Sequence, residues 1–95
     1  MHVISQKALK LFALKHPDSE TALDSWYRLI SANEFMTFAD LRKVFPSADK
    51  VGPLIVFNIG GNKYRLIAAI HFNRQKVFVR HILTHAEYNR GNWKE

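Results

Sequence analysis

Four residues in the second half of the chain are of types that can act on a phosphodiester: Arg65, Arg80, His85 and Tyr88. Arginine cations stabilise the negative charge that develops on phosphoryl oxygens, and imidazole and phenol groups transfer protons. His85 and Tyr88 are three residues apart, so one helical turn would place them on one face. Residues 51–86 contain no Asp or Glu. This combination fits proton transfer on a bound polyanion.

Each of these four residues also has a purely structural interpretation. An arginine on an open sheet is often a solvated surface residue. A histidine at a sheet edge commonly caps or packs against a neighbouring element, and a tyrosine is commonly half-buried. The residue types alone therefore leave both interpretations open.

The first half of the chain has the apolar spacing of helices, with a period near 3.6 residues. We expect helices from Ser5 to about Lys15, from Asp18 or Ser19 to about Ala32, and from Thr37 to Pro46, after a short edge strand at His2–Ile4. Thr37 and Asp40 resemble a capping box, with Asp in place of the usual Glu or Gln.

The second half predicts an antiparallel meander. We expect strands at Leu54–Ile59, Lys63–Phe72 and Lys76–Leu83, joined by turns at residues 60–62 and 73–75. The strand at Leu54–Ile59 is almost entirely apolar, which is typical of a strand covered on both faces. Thr84 is expected to cap a final helical turn at residues 85–89, which Gly91 ends.

These elements predict one α+β domain over residues 1–95, with N-terminal helices packed on a curved antiparallel sheet and a short C-terminal helix. Pairing of the last two strands decides where the arginines lie. If Ala69 lies opposite Arg80 and Arg65 opposite Thr84, both arginines project from the same sheet face. A change of register by one residue would separate them.

Composition narrows the function classes. The chain has 95 residues, which predicts one small domain, and 47% of them are hydrophobic, which argues against disorder. Its net charge of +6 makes the domain basic. Residues 51–95 carry a net charge of +5 and residues 1–50 of +1, which predicts an anionic partner for the second half.

Several classes of site and location are not expected. The absence of cysteine excludes disulfides and thiolate zinc sites. His81 and His85 have metal-ligand spacing only if both are helical, and His81 falls in a predicted strand, so we expect no metal and no cofactor. The sequence has neither an apolar run of about 20 residues nor a signal peptide, so we expect a cytoplasmic protein without membrane contact.

Two stretches of the chain resemble a known family. They are the run from Val56 to Leu66, which contains Gly60-Gly61-Asn62 and Arg65, and the later Arg80 followed by Thr84-His85-Ala86-Glu87-Tyr88. Residues 40–49, Asp-Leu-Arg-Lys-Val-Phe-Pro-Ser-Ala-Asp, are also similar to that family. The chain resembles, over nearly its whole length, the HigB-type toxins of bacterial type II toxin–antitoxin pairs, which belong to the RelE/ParE superfamily.

The resemblance implies a function and partners. The fold would be the small RelE-like toxin fold, and the activity would be metal-independent cleavage of mRNA by attack of a 2′-hydroxyl, usually in the A site of the translating ribosome. A HigA-type antitoxin with a helix-turn-helix domain would neutralise the toxin. The pair would repress its own operon, so the toxin would meet operator DNA only through the antitoxin.

The resemblance also assigns residues. Arg65 matches the family's phosphate-stabilising arginine, Arg80 matches the arginine of the last strand, and His85 and Tyr88 match the C-terminal motif that would transfer protons. Five further cations would bind RNA by charge, namely Lys63, Arg74, Lys76, Arg42 and Lys43. The better-known RelE toxins use Lys, Arg and Tyr, and the histidine of the Thr-His-x-x-Tyr motif is not part of their set.

Three other functions share these features. One is a non-catalytic inhibitor of gyrase like the ParE branch of the same fold, since fold alone does not decide function. The others are a basic nucleic-acid-binding module and a protein whose basic sheet docks an acidic peptide. Members of the ParE branch do not share the C-terminal motif that contains His85 and Tyr88 in this chain, and this difference favours RNA cleavage.

Overall fold

The change of apolar period halfway along the chain produces helices followed by strands, as the sequence predicts. The structure, a computed structural model, describes residues 1–4 and 6–94. In chain order the elements are β1 (His2–Ile4), α1 (Gln6–Lys15), α2 (Glu20–Ser31), α3 (Phe38–Val44), β2 (Asp49–Val51), β3 (Leu54–Ile59), β4 (Tyr64–His71), β5 (Lys76–Thr84) and α4 (His85–Arg90). The predicted α+β class is confirmed.

The sheet has five strands in the order β1-β5-β4-β3-β2. Neighbouring strands are antiparallel except β1, which runs parallel to β5 along one edge. The sequence prediction missed β2, the other edge. Its three residues are mostly exposed and give little apolar signal, so only their pairing with β3 makes them a strand.

The sheet buries apolar side chains on both faces. The larger cluster lies on the face that α1, α2 and α3 cover, here called the helical face, and contains Trp26, Ile30 and Phe57. A smaller cluster of Val56, Ile67 and Trp93 lies on the opposite, outer face. Because side chains alternate along a strand, β3 needs apolar residues at nearly every position.

The helix ends agree with the sequence in most respects. Pro17 follows the end of α1 and begins a 3₁₀ turn at Pro17–Ser19, after which α2 starts. The Thr37 Oγ1 accepts the Asp40 N–H at 3.2 Å, which is half of the predicted capping box. The Asp40 carboxylate accepts the Met36 N–H in place of the Thr37 N–H. The predicted Ser5 cap lies outside the described residues.

The predicted register between β4 and β5 is wrong. Arg65 lies opposite Leu83, where Thr84 was expected, and Ala69 lies opposite Phe78, where Arg80 was expected. The reason is the connection: a 3₁₀ turn at Phe72–Arg74 ends β4 at His71, one residue earlier than predicted, and His71 pairs with Lys76.

A β-bulge then offsets part of this error, which is two residues at Ala69 and one residue at Arg65. Ala68 pairs with Val79 and Ile67 pairs with His81, so Arg80 is an extra residue in β5. A bulge has no simple sequence signature, and it shifts the pairing of every residue beyond it. Arg65 nevertheless lies on the outer face against Tyr88, and Arg80 lines a cavity there with Trp93.

A hydrogen bond joins the helical layer to the start of β4. The Tyr64 hydroxyl donates to Asp18 Oδ1 at 2.6 Å, and Lys63 Nζ lies 3.3 Å from Asp18 Oδ2. The hydrogen bond from Tyr64 lowers the pKa of Asp18, with the nearby Lys63 cation acting in the same direction. The same bond raises the pKa of Tyr64. Lys63, predicted to bind RNA, is thus paired with a carboxylate.

We predict that Tyr64→Phe destabilises the protein more at neutral pH than in acid. A carboxyl whose pKa is lowered on folding stabilises the fold above its unfolded pKa of about 4, and that contribution disappears as pH falls through the folded pKa. The raised pKa of Tyr64 has the opposite sign, so its contribution disappears as pH rises beyond about 10.

Urea unfolding at pH 3 and pH 7 measures the effect. The difference in stability between the wild-type protein and Tyr64→Phe should be smaller at pH 3. Tyr27→Phe, which alters a tyrosine of α2, is the control. Its difference in stability from the wild-type protein should be the same at pH 3 and pH 7. A difference for Tyr64→Phe that is equal at both pH values would contradict the pairing with Asp18.

Candidate active site

Arg65 is buried on the outer face of β4, with 8% of its surface exposed. Its Nη1 donates to the Tyr64 carbonyl at 3.1 Å and its Nη2 donates to Asn62 Oδ1 at 3.4 Å. The guanidinium carbon lies 5.4 Å from the centre of the Tyr88 ring, within the range of a cation–π contact. The interpretation of Arg65 as a solvated surface residue is therefore wrong, because α4 folds back against the start of β4.

A capping box fixes the start of α4, as the sequence predicts. The Thr84 Oγ1 accepts the Glu87 N–H at 3.3 Å, and the Thr84 N–H donates to Glu87 Oε1 at 2.9 Å. Hydrogen bonds from Thr84 lower the pKa of the Glu87 carboxyl. The His85 N–H also donates to the Lys63 carbonyl at 3.1 Å, which ties α4 to the turn before β4.

The end of α4 holds Tyr88 from the other side. Gly91 ends the helix with φ of 76°, and its N–H donates to the Tyr88 carbonyl at 3.1 Å. The chain then turns back, so that the Trp93 ring stacks on the Tyr88 ring at 5.1 Å with 14° between the ring planes. The Trp93 Nε1 donates to the same Tyr88 carbonyl at 2.9 Å. Tyr88 is thereby positioned against both Arg65 and Trp93.

Sequence reasoning missed Trp93. This residue is 5% exposed and belongs to the outer-face cluster with Val56 and Ile67. The available signal was an aromatic residue two positions after a glycine that ends a helix, since apolar contacts back onto the last turn often accompany such an ending.

The predicted catalytic residues separate into two groups on one face. Arg65 and Tyr88 are in contact, and His85 lies one turn before Tyr88 with an exposed side chain. Arg80 is exposed and lines the outer-face cavity. Trp93 connects the two groups, because it stacks on Tyr88 and also lines that cavity.

Three of the predicted RNA-binding cations have other neighbours. Lys63 pairs with Asp18, Lys43 lies 3.7 Å from Asp40, and Arg42 donates to the Pro46 carbonyl at 3.1 Å. Arg42 and Lys43 belong to α3, which packs on the helical face through Leu41, so the structure does not bring them to Arg65.

Arg74 and Lys76 are exposed around the connection from β4 to β5. This connection lies at the end of β4 opposite to Tyr64 and Arg65. The two cations therefore extend the basic surface along the sheet, away from Tyr88.

Comparison with known proteins identifies the family. Residues 19–91 match the family model HigB_toxin, described as the RelE-like toxic component of a toxin–antitoxin system. The chain belongs to the HigB toxin family. The matched region contains Arg65, Arg80, His85 and Tyr88 and ends before Trp93. The resemblance drawn from the sequence is thus confirmed.

Individual relatives agree along nearly the whole chain. The chain is 41% identical over 92 residues to the mRNA interferase toxin HigB of Escherichia coli and, to the same extent, to the mRNA interferase HigB of Shigella flexneri. Each alignment covers 94% of this chain and 88% of the relative. The chain is therefore similar to these HigB toxins over its helical layer, its sheet and its C-terminal helix.

We predict that Arg65→Ala lowers the free energy of unfolding by about 1–3 kcal/mol, because the Tyr64 carbonyl loses a partner and the Tyr88 ring loses its support. Arg65→Lys should cost less, since an ammonium retains the charge and one donor but loses the planar group. Urea unfolding at neutral pH provides the comparison.

Arg28→Ala is the control for this series. Arg28 pairs with Asp24 at 2.7 Å on the surface of α2, with its side chain 77% exposed. Its loss should change stability by no more than about 0.5 kcal/mol. If Arg65→Ala were as mild as Arg28→Ala, the supporting role of Arg65 would be disproved.

Proposed function

We propose that this protein is an endoribonuclease that cleaves mRNA, as the toxin of a toxin–antitoxin pair, and that Arg65 and Tyr88 form the centre of its active site. The observation that carries the proposal is the contact between the Arg65 guanidinium and the Tyr88 ring on a basic sheet face. Membership of a toxin family, and relatives named mRNA interferases, support the substrate.

The position of Arg65 suits phosphate binding. A guanidinium carries five N–H donors, and the Tyr64 carbonyl and Asn62 Oδ1 occupy two of them. These two bonds fix the plane of the group, so the remaining donors are held in place before substrate arrives. Such preorganised donors act most strongly where water is largely excluded, which is the situation of a buried arginine.

The proposed reaction is an intramolecular transfer on RNA. The 2′-hydroxyl oxygen attacks the adjacent phosphorus and loses its proton to a base. The P–O5′ bond breaks, the leaving oxygen takes a proton from an acid, and the products are a 2′,3′-cyclic phosphate and a 5′-hydroxyl. Arg65 stabilises the charge on the phosphoryl oxygens, and Arg80 adds a second cation on the same face. None of these steps requires a metal or an organic cofactor.

His85 and Tyr88 are the proposed proton-transfer groups. Their three-residue spacing on α4 places them one helical turn apart, and the Thr84 cap fixes the helix that carries both. His85 is exposed and therefore reachable by a substrate hydroxyl, whereas Tyr88 is half-buried beside Arg65. Both residue types transfer protons in enzymes, and either assignment of base and acid completes the reaction.

The setting proposed for the reaction is the one that the resemblance to HigB-type toxins implies. We propose that the substrate is mRNA in the A site of the translating ribosome and that a HigA-type antitoxin with a helix-turn-helix domain neutralises the toxin. Operator DNA would then be contacted through the antitoxin alone, and the toxin would act in the cytoplasm. Within residues 1–4 and 6–94, no helix has the length and apolarity to cross a membrane.

We predict that Arg65→Lys, His85→Ala and Tyr88→Phe each reduce mRNA cleavage by about 100-fold or more, the usual contribution of one positioned proton-transfer group or charge-stabilising donor. Primer extension on a defined mRNA, with and without translating ribosomes, measures the cuts. Arg28→Ala is the control and should cleave like the wild-type protein.

The outcomes separate the hypotheses. Codon-registered cuts that require ribosomes, and that are lost in the three variants, would support the whole proposal. Cuts in RNA without ribosomes would support the ribonuclease activity and reject the requirement for the ribosome. Growth arrest without cuts in any lane would overturn the proposal and favour a ParE-like inhibitor of gyrase.

A further inference from the structure

A cavity of about 650 Å³ lies on the outer face, and Trp93, which stacks on Tyr88, is part of its lining. Its floor includes Ala69 of β4, and Leu54 and Trp93 supply apolar surface. The volume is within the range of pockets that hold small organic ligands, about 300–1,000 Å³. A single nucleotide fits a space of this size.

The polar lining of the cavity is cationic. Arg80 and Lys94 contribute two positive charges, and His71 and His81 contribute two imidazoles. Among the described residues that line the cavity, none is acidic. Positive charge without a compensating carboxylate favours a phosphate group, and imidazole N–H groups are further donors to its oxygens.

The β-bulge brings two consecutive residues to the lining of this cavity. In a regular strand, neighbours point to opposite faces, so His81 would face the helices if Arg80 faces outward. Here Arg80 is the extra residue of the bulge, and both Arg80 and His81 line the cavity. Bulges interrupt strand pairing and are frequent beside active sites, where they redirect side chains. The bulge thus lets Arg80 and His81, two of the four donors, line the same cavity.

The aromatic lining connects the cavity with the proposed active site. Trp93 lines the cavity and stacks on Tyr88, which in turn contacts Arg65. The Lys94 Nζ lies 5.6 Å from the Trp93 ring centre, so cation and ring are already together. Because Trp93 is 5% exposed and already contacts Tyr88 and Lys94, it joins the wall of the cavity to the Arg65 and Tyr88 contact and does not offer a free ring face to a base.

We propose that this cavity binds the phosphate and base of an RNA nucleotide next to the bond that is cleaved, with Arg80, His81 and Lys94 on the phosphate and the base against the apolar lining of Leu54 and Ala69. This inference rests on the proposed function and extends it. Arg80 then acts mainly by binding the neighbouring phosphate, while Arg65 holds the phosphate that reacts. Substrate recognition would then span two nucleotides, one at Arg65 and one in the cavity, with Trp93 between them.

We test the cavity by binding alone, with an RNA hexamer whose riboses are all 2′-O-methylated and therefore cannot be cleaved by 2′-hydroxyl attack. Fluorescence anisotropy of a labelled hexamer gives Kd at several salt concentrations. Arg80→Gln, His81→Ala and Lys94→Ala should each weaken binding by about fivefold or more, and the two charge-removing variants should lower the salt slope by about one. Matched controls are Arg28→Gln, His2→Ala and Lys50→Ala, which should stay within about twofold.

Ala69→Leu separates shape from charge. The added carbons would occupy the floor of the cavity without changing net charge, so the hexamer should bind about tenfold more weakly while the salt slope is unchanged. Urea unfolding identifies any variant that is merely destabilised. Hexamer binding that survives Ala69→Leu, or that falls equally in the control variants, would overturn the inference, because surface charge alone would then explain affinity.

Cleavage of unmodified RNA by the same variants distinguishes the two proposals. Cavity-dependent binding without cleavage by the wild-type protein would retain the nucleotide site and reject the nuclease. Cleavage and binding that are both normal in His81→Ala and Ala69→Leu would retain the nuclease and reject the nucleotide site. Inorganic phosphate and a mononucleotide serve as competitors, and competition by the mononucleotide alone is expected for a site that reads phosphate and base together.

Discussion

The contact between the Arg65 guanidinium and the Tyr88 ring is the interaction on which the outer face depends. It places a buried cation beneath an aromatic ring, and further contacts hold each of the two residues in place. The Tyr64 carbonyl and Asn62 hold Arg65, whereas the Thr84 cap and Trp93 hold Tyr88. A buried charge is costly unless such partners compensate it, so the C-terminal segment is required to make the position of Arg65 tolerable.

The alternation of one strand links this contact to the rest of the fold. Tyr64 and Arg65 are consecutive, so they project from opposite faces of β4. Tyr64 reaches Asp18 beside α2 on the helical face, and Arg65 reaches Tyr88 on the outer face. The turn before them lets the chain reverse, since Gly60 and Gly61 have φ of 63° and 69°. The start of β4 therefore holds the helical layer and α4 to one sheet.

Sequence reasoning succeeded where a local pattern determines the structure. The change of apolar period separates the helices from the strands, and the Thr84 cap and Gly91 define α4 closely. The residues around Arg65 and the ending with His85 and Tyr88 were sufficient to recognise the family. Each of these features is encoded by neighbours within a few positions.

Features that depend on distant contacts were not predictable in the same way. The bulge at Arg80 follows from the competition between the connection after β4 and the pairing beyond it, and no single residue signals it. Arg65 is buried because α4 folds back against the start of β4, and an arginine within a predicted strand gives no sign of that contact. Trp93 was overlooked because its partner, Tyr88, is reached only after a reversal of the chain at Gly91.

The most direct test of this account is cleavage of an RNA that carries a single 2′-deoxyribose at the cleaved position, compared with the same RNA unmodified. If the 2′-hydroxyl is the nucleophile and Arg65 stabilises the phosphate it attacks, the modified RNA should resist cleavage at that position. The unmodified RNA should give fragments that end in a 2′,3′-cyclic phosphate and begin with a 5′-hydroxyl. Undiminished cleavage of the modified RNA, or fragments with a 3′-hydroxyl and a 5′-phosphate, would contradict the mechanism.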